Sequence, residues 1–390
     1  MQVIHVITRL IIGGAQENTV ATVLGLQNQP GLQINLISGP TRGPEGSLES
    51  RFAAKPQLLT VLPSLVRPVH PARDFQALLQ LQKIFQITHP DIVHTHSGKA
   101  GVLGRLAARR AGVPAIIHTI HGPSFGAFQG AAANWLFHAA ERQAGKVTTH
   151  FISVSDAMTQ QYLAAGIGRP EQYTRIFSGF DLEPFLNARQ DPALRRQWGI
   201  APGDFVVGKI ARLFHLKGHD DLIAAASAVL QRNPQTKFLL LGDGILRAEL
   251  ERKVQAKGLA GKFIFVGMVA PAELPKYVGL MDTMVHLSRR EGLARALPQA
   301  LAAGLPVVAC DCDGAKEVCF PGRTGFLIQP GDAAALAARL GELAGDAGLR
   351  ERLGQNGREF VRRHFAVETM VAEIAALYRR LRPMPATYAH

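Results

Sequence analysis

Cysteine is nearly absent: three in 390 residues, Cys310, Cys312 and Cys319, crowded into one stretch. Three thiols cannot all pair, and the spacing supplies neither a second Cys-x-x-Cys nor a nearby histidine pair. A disulfide framework and a structural zinc site are therefore not expected, and a reducing compartment fits best. No stretch holds eighteen uninterrupted apolar residues, so no membrane-crossing helix is predicted. Met1-Gln2 runs directly into the apolar Val3 to Ile7, without the charged start and small-residue cleavage site of a signal peptide, and the expected location is cytoplasmic. The G-x-G-x-x-G turn of dinucleotide domains is missing, which argues against hydride transfer, and no internal repeat is present. Acidic residues are outnumbered 30 to 43, leaving a formal charge of +13. The basic residues are dispersed, with Arg109-Arg110, Arg195-Arg196 and Arg379-Arg380 set among apolar residues, and no basic arm or aromatic stacking platform accompanies them. Nucleic acid is not an expected partner. An anionic membrane surface, met peripherally on the inner face of the plasma membrane, is the better use of the charge.

Apolar material is ample. With 47% hydrophobic residues and a mean hydropathy of +0.07, the length predicts two domains, each with its own core. Short apolar runs alternate with amphipathic segments, the pattern of α/β units. Val3 to Thr8 reads as a strand, Gly13-Gly14 as a turn where backbone can approach a ligand for want of a Cβ, and Thr19 to Leu26 as a helix. Further strands are expected at 35–38, 58–62, 91–96, 115–119 and 150–154, with helices over 75–86, 134–142 and 157–165. This order brings His94, His96, Lys99 and His121 to carboxyl ends of strands, the edge where open parallel sheets bind ligands. His94 and His96 lack a third metal ligand nearby in sequence, and hydrogen-bonded strand-end histidines are the expectation. The charged, poorly periodic Glu183 to Trp198 marks a domain boundary, and Phe205 to Ile210 opens a second α/β series.

The most specific stretch runs from Ser288 to Val308 and reads as strand end, loop, short helix, turn and new strand. Pro298 is tolerated only near the first turn of a helix, so the helix begins near Arg295 to Leu297. The N–H groups of Gly292, Leu293 and Ala294 are then left at a helix N-terminus, which suits an anion such as a diphosphate. Glu291 and Gln299 bracket that cradle, about 12 Å apart at most from the helical rise. Upstream, Arg212 offers a planar fork and Lys217 a compact charge, both suited to phosphate oxygens. On the residues alone, a solvated loop and an amphipathic helix account for the stretch equally well.

Glu291 with Gln299 eight positions on resembles the glutamate-x7-glutamate segment of the retaining glycosyltransferases of family 4, the glycosyl transferases group 1. Arg212, Lys217 and Gly218 resemble that family's diphosphate-binding pair, His118-Thr119-Ile120-His121-Gly122 its strand-end histidine motif, and Gly13-Gly14 its donor-side glycine turn. Arg175 to Asp181 resembles its Asn-Gly-Val-Asp hinge, with Ser178 and Phe180 departing. The resemblance implies an α/β GT-B fold, two doubly wound Rossmann-like domains facing a cleft. Residues 1–183 would bind the acceptor, 184–365 the nucleotide sugar, and 366–390 would form a helix crossing back to the first domain plus a tail. It implies a retaining hexosyltransferase with no metal or other cofactor, moving sugar from a UDP- or GDP-type donor to a glycan or lipid-linked acceptor in cell-surface polysaccharide or glycolipid synthesis. Glu291, His121, Arg212 and Lys217 would be catalytic, and Gly13, Gly14, Gly292, Leu293, Ala294 and Gln299 would bind the donor. Lys99 is a candidate acceptor contact, and Gly39 to Ser47 an acceptor-side flap. Gln299 departs from the family's second carboxylate and is a neutral, weaker acceptor for a ribose hydroxyl. Two alternatives use the same scaffold: a nucleotide-sugar 2-epimerase, and a disabled transferase fold serving as a binding module at an anionic membrane surface.

Overall fold

The computed structural model describes residues 1–41, 43, 46–96, 98–126 and 129–381. Residues 42, 44 and 45 of the expected flap and the expected tail at 383–390 lie outside the described residues. The chain divides into two compact units, Met1–Phe180 together with the chain from Val367 onward, and Asp181–Ala366.

The first unit is built on seven parallel strands: β1 (Gln2–Ile7), β2 (Gln33–Ser38), β3 (Leu59–Val61), β4 (Ile92–His96), β5 (Ala115–Ile120), β6 (His150–Ser153) and β7 (Tyr173–Arg175). Their order is β3-β2-β1-β4-β5-β6-β7. The crossovers carry α1 (Gly14–Leu26), α2 (Pro71–Thr88), α3 (Gly98–Arg110), α4 (Ala131–Lys146) and α5 (Asp156–Ala164). Helices on both faces bury both sides of the sheet, which is why its central strands read as continuous apolar runs rather than alternating ones. Val3, Ile7, Ile92 and Ile117 line one core with Val20 and Val23 of α1. Ile4, Val6, Val93 and Ile116 line the other with Leu81 and Phe85 of α2. The start of α5 is set by Ser155, whose hydroxyl accepts from the Met158 N–H at 3.3 Å.

The second unit holds six parallel strands, β8 (Phe205–Ile210), β9 (Thr236–Leu241), β10 (Phe263–Gly267), β11 (Thr283–His286), β12 (Val307–Cys310) and β13 (Gly325–Ile328), in the order β10-β9-β8-β11-β12-β13. Its helices are α6 (Glu183–Leu186), α7 (Pro192–Gln197), α8 (His219–Arg232), α9 (Arg247–Ala256), α10 (Leu274–Val278), α11 (Ala296–Ala302), α12 (Ala333–Gly345) and α13 (Ala347–His364). The charged stretch at the start of this unit is thus two short helices, the second capped by Asp191, whose carboxylate accepts from Ala193 and Leu194. The last helix, α14 (Val367–Leu381), belongs to the first unit and packs on α1. A Cβ on Gly25 of α1 would lie 2.4 Å from a Val371 methyl, so the glycine admits the close approach of α14.

Each sheet reverses its strand order once, between β1 and β4 in the first unit and between β8 and β11 in the second. At such a point the loops leaving the two strands diverge to opposite faces and open a crevice beyond the carboxyl ends.

Candidate active site

At the reversal in the second unit, the loop leaving β8 is pinned from two sides. A Cβ on Gly242 would stand 2.1 Å from the Ala211 carbonyl oxygen, and one on Gly244 would stand 2.5 Å from that of Leu213, so only glycines let the turn after β9 press this closely. The Leu213 N–H donates to the Asp243 carbonyl at 2.9 Å. On the other side Leu216 and Gly218 both take φ 65°, and the Arg289 N–H donates to the Leu216 carbonyl at 2.8 Å. A Cβ on Gly218 would lie 2.2 Å from the Leu287 carbonyl oxygen. The loop after β8 is therefore stapled to the loop after β11.

That stapling brings the predicted residues together. The Lys217 ammonium donates to the Glu291 carboxylate, and both side chains are partly buried. Glu291 is oriented in turn by its own N–H, which donates to Asp313 Oδ2 at 2.7 Å, with Ser288 Oγ 3.4 Å from Oε1. Arg212 lies over the Phe214 ring at 5.0 Å and has no carboxylate partner among the described residues. The helix α11 begins at Ala296, where the proline spacing places it, and Pro298 stands in its first turn. The Leu293 and Ala294 N–H groups make no hydrogen bond among the described residues, while the Gly292 carbonyl accepts from Gly314. Gln299 lies inside α11, buried, with no side-chain hydrogen bond among the described residues.

One member of this neighbourhood is not singled out by sequence reasoning. Lys209, on β8, is 1% exposed and has no ion-pair partner among the described residues. Burial lowers its pKa to about 7, against a smaller upward pull from Cys310. Its only sequence signal is a lysine inside the apolar run Val206-Val207-Gly208-Lys209-Ile210. His286, at the end of β11, is lowered to about 3 by burial, with Lys209 and Lys217 adding to the effect. It is a neutral imidazole near pH 7.

The other predicted residues lie on the carboxyl edge of the first unit. Gly13 has φ 175°, an extended conformation open to any residue, and a Cβ there would meet only the tip of the Gln16 side chain. Gly14 is the first residue of α1. Lys99 is committed elsewhere: its ammonium donates to Asp74 Oδ1 at 2.5 Å and to the Pro68 carbonyl. His121 follows β5, and its Nε2 is 3.1 Å from His96 Nδ1. The third histidine that the sequence around His94 and His96 lacks arrives from β1, because His5 is in register with His94. Ligand atoms of His5, His94 and His96 lie within 4.8 Å of one another. Every ring nitrogen of the three is already hydrogen-bonded, to one another, to His121, to Thr119 or to Tyr378 of α14.

Comparison with known proteins follows the same division. Residues 190–360 match the family described as glycosyl transferases group 1, and residues 13–178 match the glycosyl transferase 4-like domain. The UDP-Gal:alpha-D-GlcNAc-diphosphoundecaprenol alpha-1,3-galactosyltransferase of Escherichia coli is 28% identical over 386 residues, 97% of this chain and 96% of that protein. EpsD of Bacillus subtilis is 31% identical over 309 residues, 77% of this chain and 79% of its own. Among solved structures, Anabaena Alr3699/HepE in complex with UDP and glucose superposes with a TM-score of 0.80 at 25% identity, covering 97% of this chain and 99% of that one.

Proposed function

The chain belongs to the group 1 glycosyl transferases and is a hexosyltransferase of GT-B fold, and from that premise we propose that it transfers a hexose from a UDP-sugar to a hydroxyl of a glycan or lipid-linked acceptor, with retention and without a metal ion. The observation that carries this reading is the contact of Lys217 with Glu291 at the strand-order reversal of the second unit, with Arg212 on the same loop as Lys217. UDP is favoured over GDP because the Escherichia coli relative, matched over nearly its whole length, is named for UDP-Gal, and the Anabaena structure holds UDP and glucose.

In this reading the second unit binds the nucleotide sugar and the first binds the acceptor. The bond between the sugar's anomeric carbon and the diphosphate breaks with its electron pair on the departing oxygen. Arg212 and Lys217 meet the charge that develops there, and fixed cations in a preorganised site stabilise such charge without reorganising. The acceptor oxygen bonds to the anomeric carbon on the same face, and its proton passes to the leaving diphosphate, so no covalent enzyme intermediate is needed. Glu291 accepts from hydroxyls of the donor sugar, the Leu293 and Ala294 N–H groups approach the diphosphate, and Gln299 takes one ribose hydroxyl. Gly13 and Gly14 give backbone access at the first unit's edge, and His121 bonds a substrate hydroxyl there. Among the described residues no helix is long and apolar enough to cross a membrane. The net charge of +13 supports a peripheral station on an anionic lipid surface, where a lipid-linked acceptor would lie.

The test is transfer from a panel of UDP- and GDP-hexoses to lipid-diphosphate-linked N-acetylhexosamine in excess chelator, with the product's anomeric configuration read by NMR. Turnover in chelator with an α-linked product from an α-donor is expected. An inverted product, activity restored only by a divalent ion, or isomerisation of the donor without an acceptor would sink the proposal.

A further inference from the structure

Five hydrogen bonds join four histidines, a tyrosine and a threonine of the first unit into one chain. His121 Nε2 meets His96 Nδ1 at 3.1 Å, and His96 Nε2 meets His5 Nδ1 at 2.9 Å. His5 Nε2 meets the Tyr378 hydroxyl at 3.2 Å, that hydroxyl meets His94 Nδ1 at 2.5 Å, and His94 Nε2 meets Thr119 Oγ1 at 2.6 Å. His5, His94, His96 and Tyr378 are fully buried or nearly so. Burial lowers the pKa of His5 and His121 to about 3 and takes His94 and His96 well below their ordinary value, so all four rings are neutral near pH 7.

A neutral imidazole donates from one nitrogen and accepts at the other. In an unbroken chain of such rings, fixing one proton therefore fixes all the rest. Tyr378 breaks the symmetry between the two proton orders. Hydroxyl donors make shorter hydrogen bonds than N–H donors. With the Tyr378 hydroxyl donating to His94 at 2.5 Å and accepting from the His5 Nε2–H at 3.2 Å, only the His94 Nε2–H donating to Thr119 Oγ1 at 2.6 Å runs against that rule, whereas the reverse order sets both Tyr378 contacts against it. In the first order His5 Nδ1 is bare and accepts from the His96 Nε2–H, and His96 Nδ1 is bare and accepts from the His121 Nε2–H. The rings also stack, His94 on His96 at 4.4 Å, His5 on His96 at 5.2 Å and His96 on His121 at 5.4 Å between centroids, which opposes ring flips that would scramble the order.

We infer that Tyr378, on the C-terminal helix, is a positioning residue that holds His121 in its Nε2–H tautomer, leaving Nδ1 as a bare lone pair that accepts from a substrate hydroxyl. The inference rests on the reading above for His121's contact with substrate, but the tautomer itself does not. A ring locked this way selects against a substrate whose contacting hydroxyl is replaced by a group that cannot donate.

The test is two-bond 1H–15N NMR of the full chain labelled on histidine, with His121 assigned by comparison with His121→Gln. At pH 7 the His121 proton is expected on Nε2, and a proton on Nδ1, a tautomer average or an imidazolium overturns the inference. In Tyr378→Phe the His121 tautomers should mix and kcat/KM should fall about tenfold, the loss of one well-made hydrogen bond, with the Kd for UDP unchanged. An unaltered His121 tautomer in that variant overturns it as well. Where the variant does not fold, the wild-type spectrum decides alone. Full turnover in His121→Ala would instead sink the proposed contact with substrate while leaving the tautomer result standing.

Discussion

A lysine inside an apolar strand is costly in its charged form, because burial strips the water that solvates the ammonium. For Lys209 burial lowers the pKa in the folded protein to about 7, against its ordinary value of 10.5. Between those values the unfolded chain binds a proton that the folded chain does not, so this group makes stability rise with pH across that window. Below about pH 7 the charge is present in both states and its penalty is full. Lys209→Met should therefore raise the melting temperature most at pH 6, with the gain shrinking toward pH 10, and a gain independent of pH in thermal scans would reject the assignment. Glu291 poses a different question, since its partner Lys217 is also a diphosphate ligand in the proposed mechanism. Glu291→Gln keeps the shape, loses the charge and frees the ammonium. Turnover should fall about a hundredfold, the scale of one lost transition-state contact, while UDP binds at least as tightly, as isothermal titration would record. Arg212, Lys217, Glu291 and His121 are singled out in the sequence by their resemblance to a family's motifs and not by their position, since charges in polar loops are ordinarily solvated. Lys209, His5 and Tyr378 are not. Their neighbours come from β11, β4 and β1, and nothing in a linear sequence states which strands lie side by side.

At the level of elements, the buried parallel strands are readable as apolar runs with turn residues between them, and α14 is readable over its whole length from its amphipathic period. The short edge strand β7 is Tyr173-Thr174-Arg175, paired on one side only, and carries no apolar run to announce it. The helices α12 and α13 are capped by Asp332 and Asp346, whose carboxylates accept from Ala335 and Leu349 at 2.8 Å each, and each buries one face, Leu336, Leu340 and Leu343 in α12 and Leu353, Gly357 and Val361 in α13. A buried ion pair ties α3 to α4. Arg105 donates to Glu141 Oε2 at 2.6 Å, to the Gly101 carbonyl at 2.7 Å and to Thr148 Oγ1 at 3.3 Å. Ser124 Oγ donates to the other Glu141 oxygen at 3.0 Å. Removing one partner leaves an uncompensated charge in a dry place, so Glu141→Ala should cost about 3–5 kcal/mol. Arg105→Met with Glu141→Leu should recover most of that loss in denaturant titrations, because the apolar pair has no desolvation penalty to overcome. If the double variant is as unstable as the single one, the pair supplies net stability rather than geometry.

For the whole molecule, chain order and unit membership part company at Val367. The last helix follows the second unit in sequence, yet Met370, Val371, Ile374, Ala375, Leu377 and Tyr378 are buried in the first. The first unit's core is therefore incomplete without α14, whereas the second closes its own core from Phe205 to Leu353. With two cores, thermal unfolding need not be a single two-state event, and a ligand raises the stability only of the unit that binds it. A chain ending at Ala366 should lose the calorimetric transition of the first unit and expose the face of α1 around Gly25. The transition of the second unit should remain, and saturating UDP should still shift it, since a ligand at one hundred times its Kd adds about 2.7 kcal/mol. Glycosyl transfer should vanish in the same chain, because His121 and its hydrogen-bonded histidines sit on the lost core. Persistence of the first transition after truncation would show that α14 covers a core already stable without it. Loss of the UDP shift would mean that the second unit does not hold the diphosphate by itself.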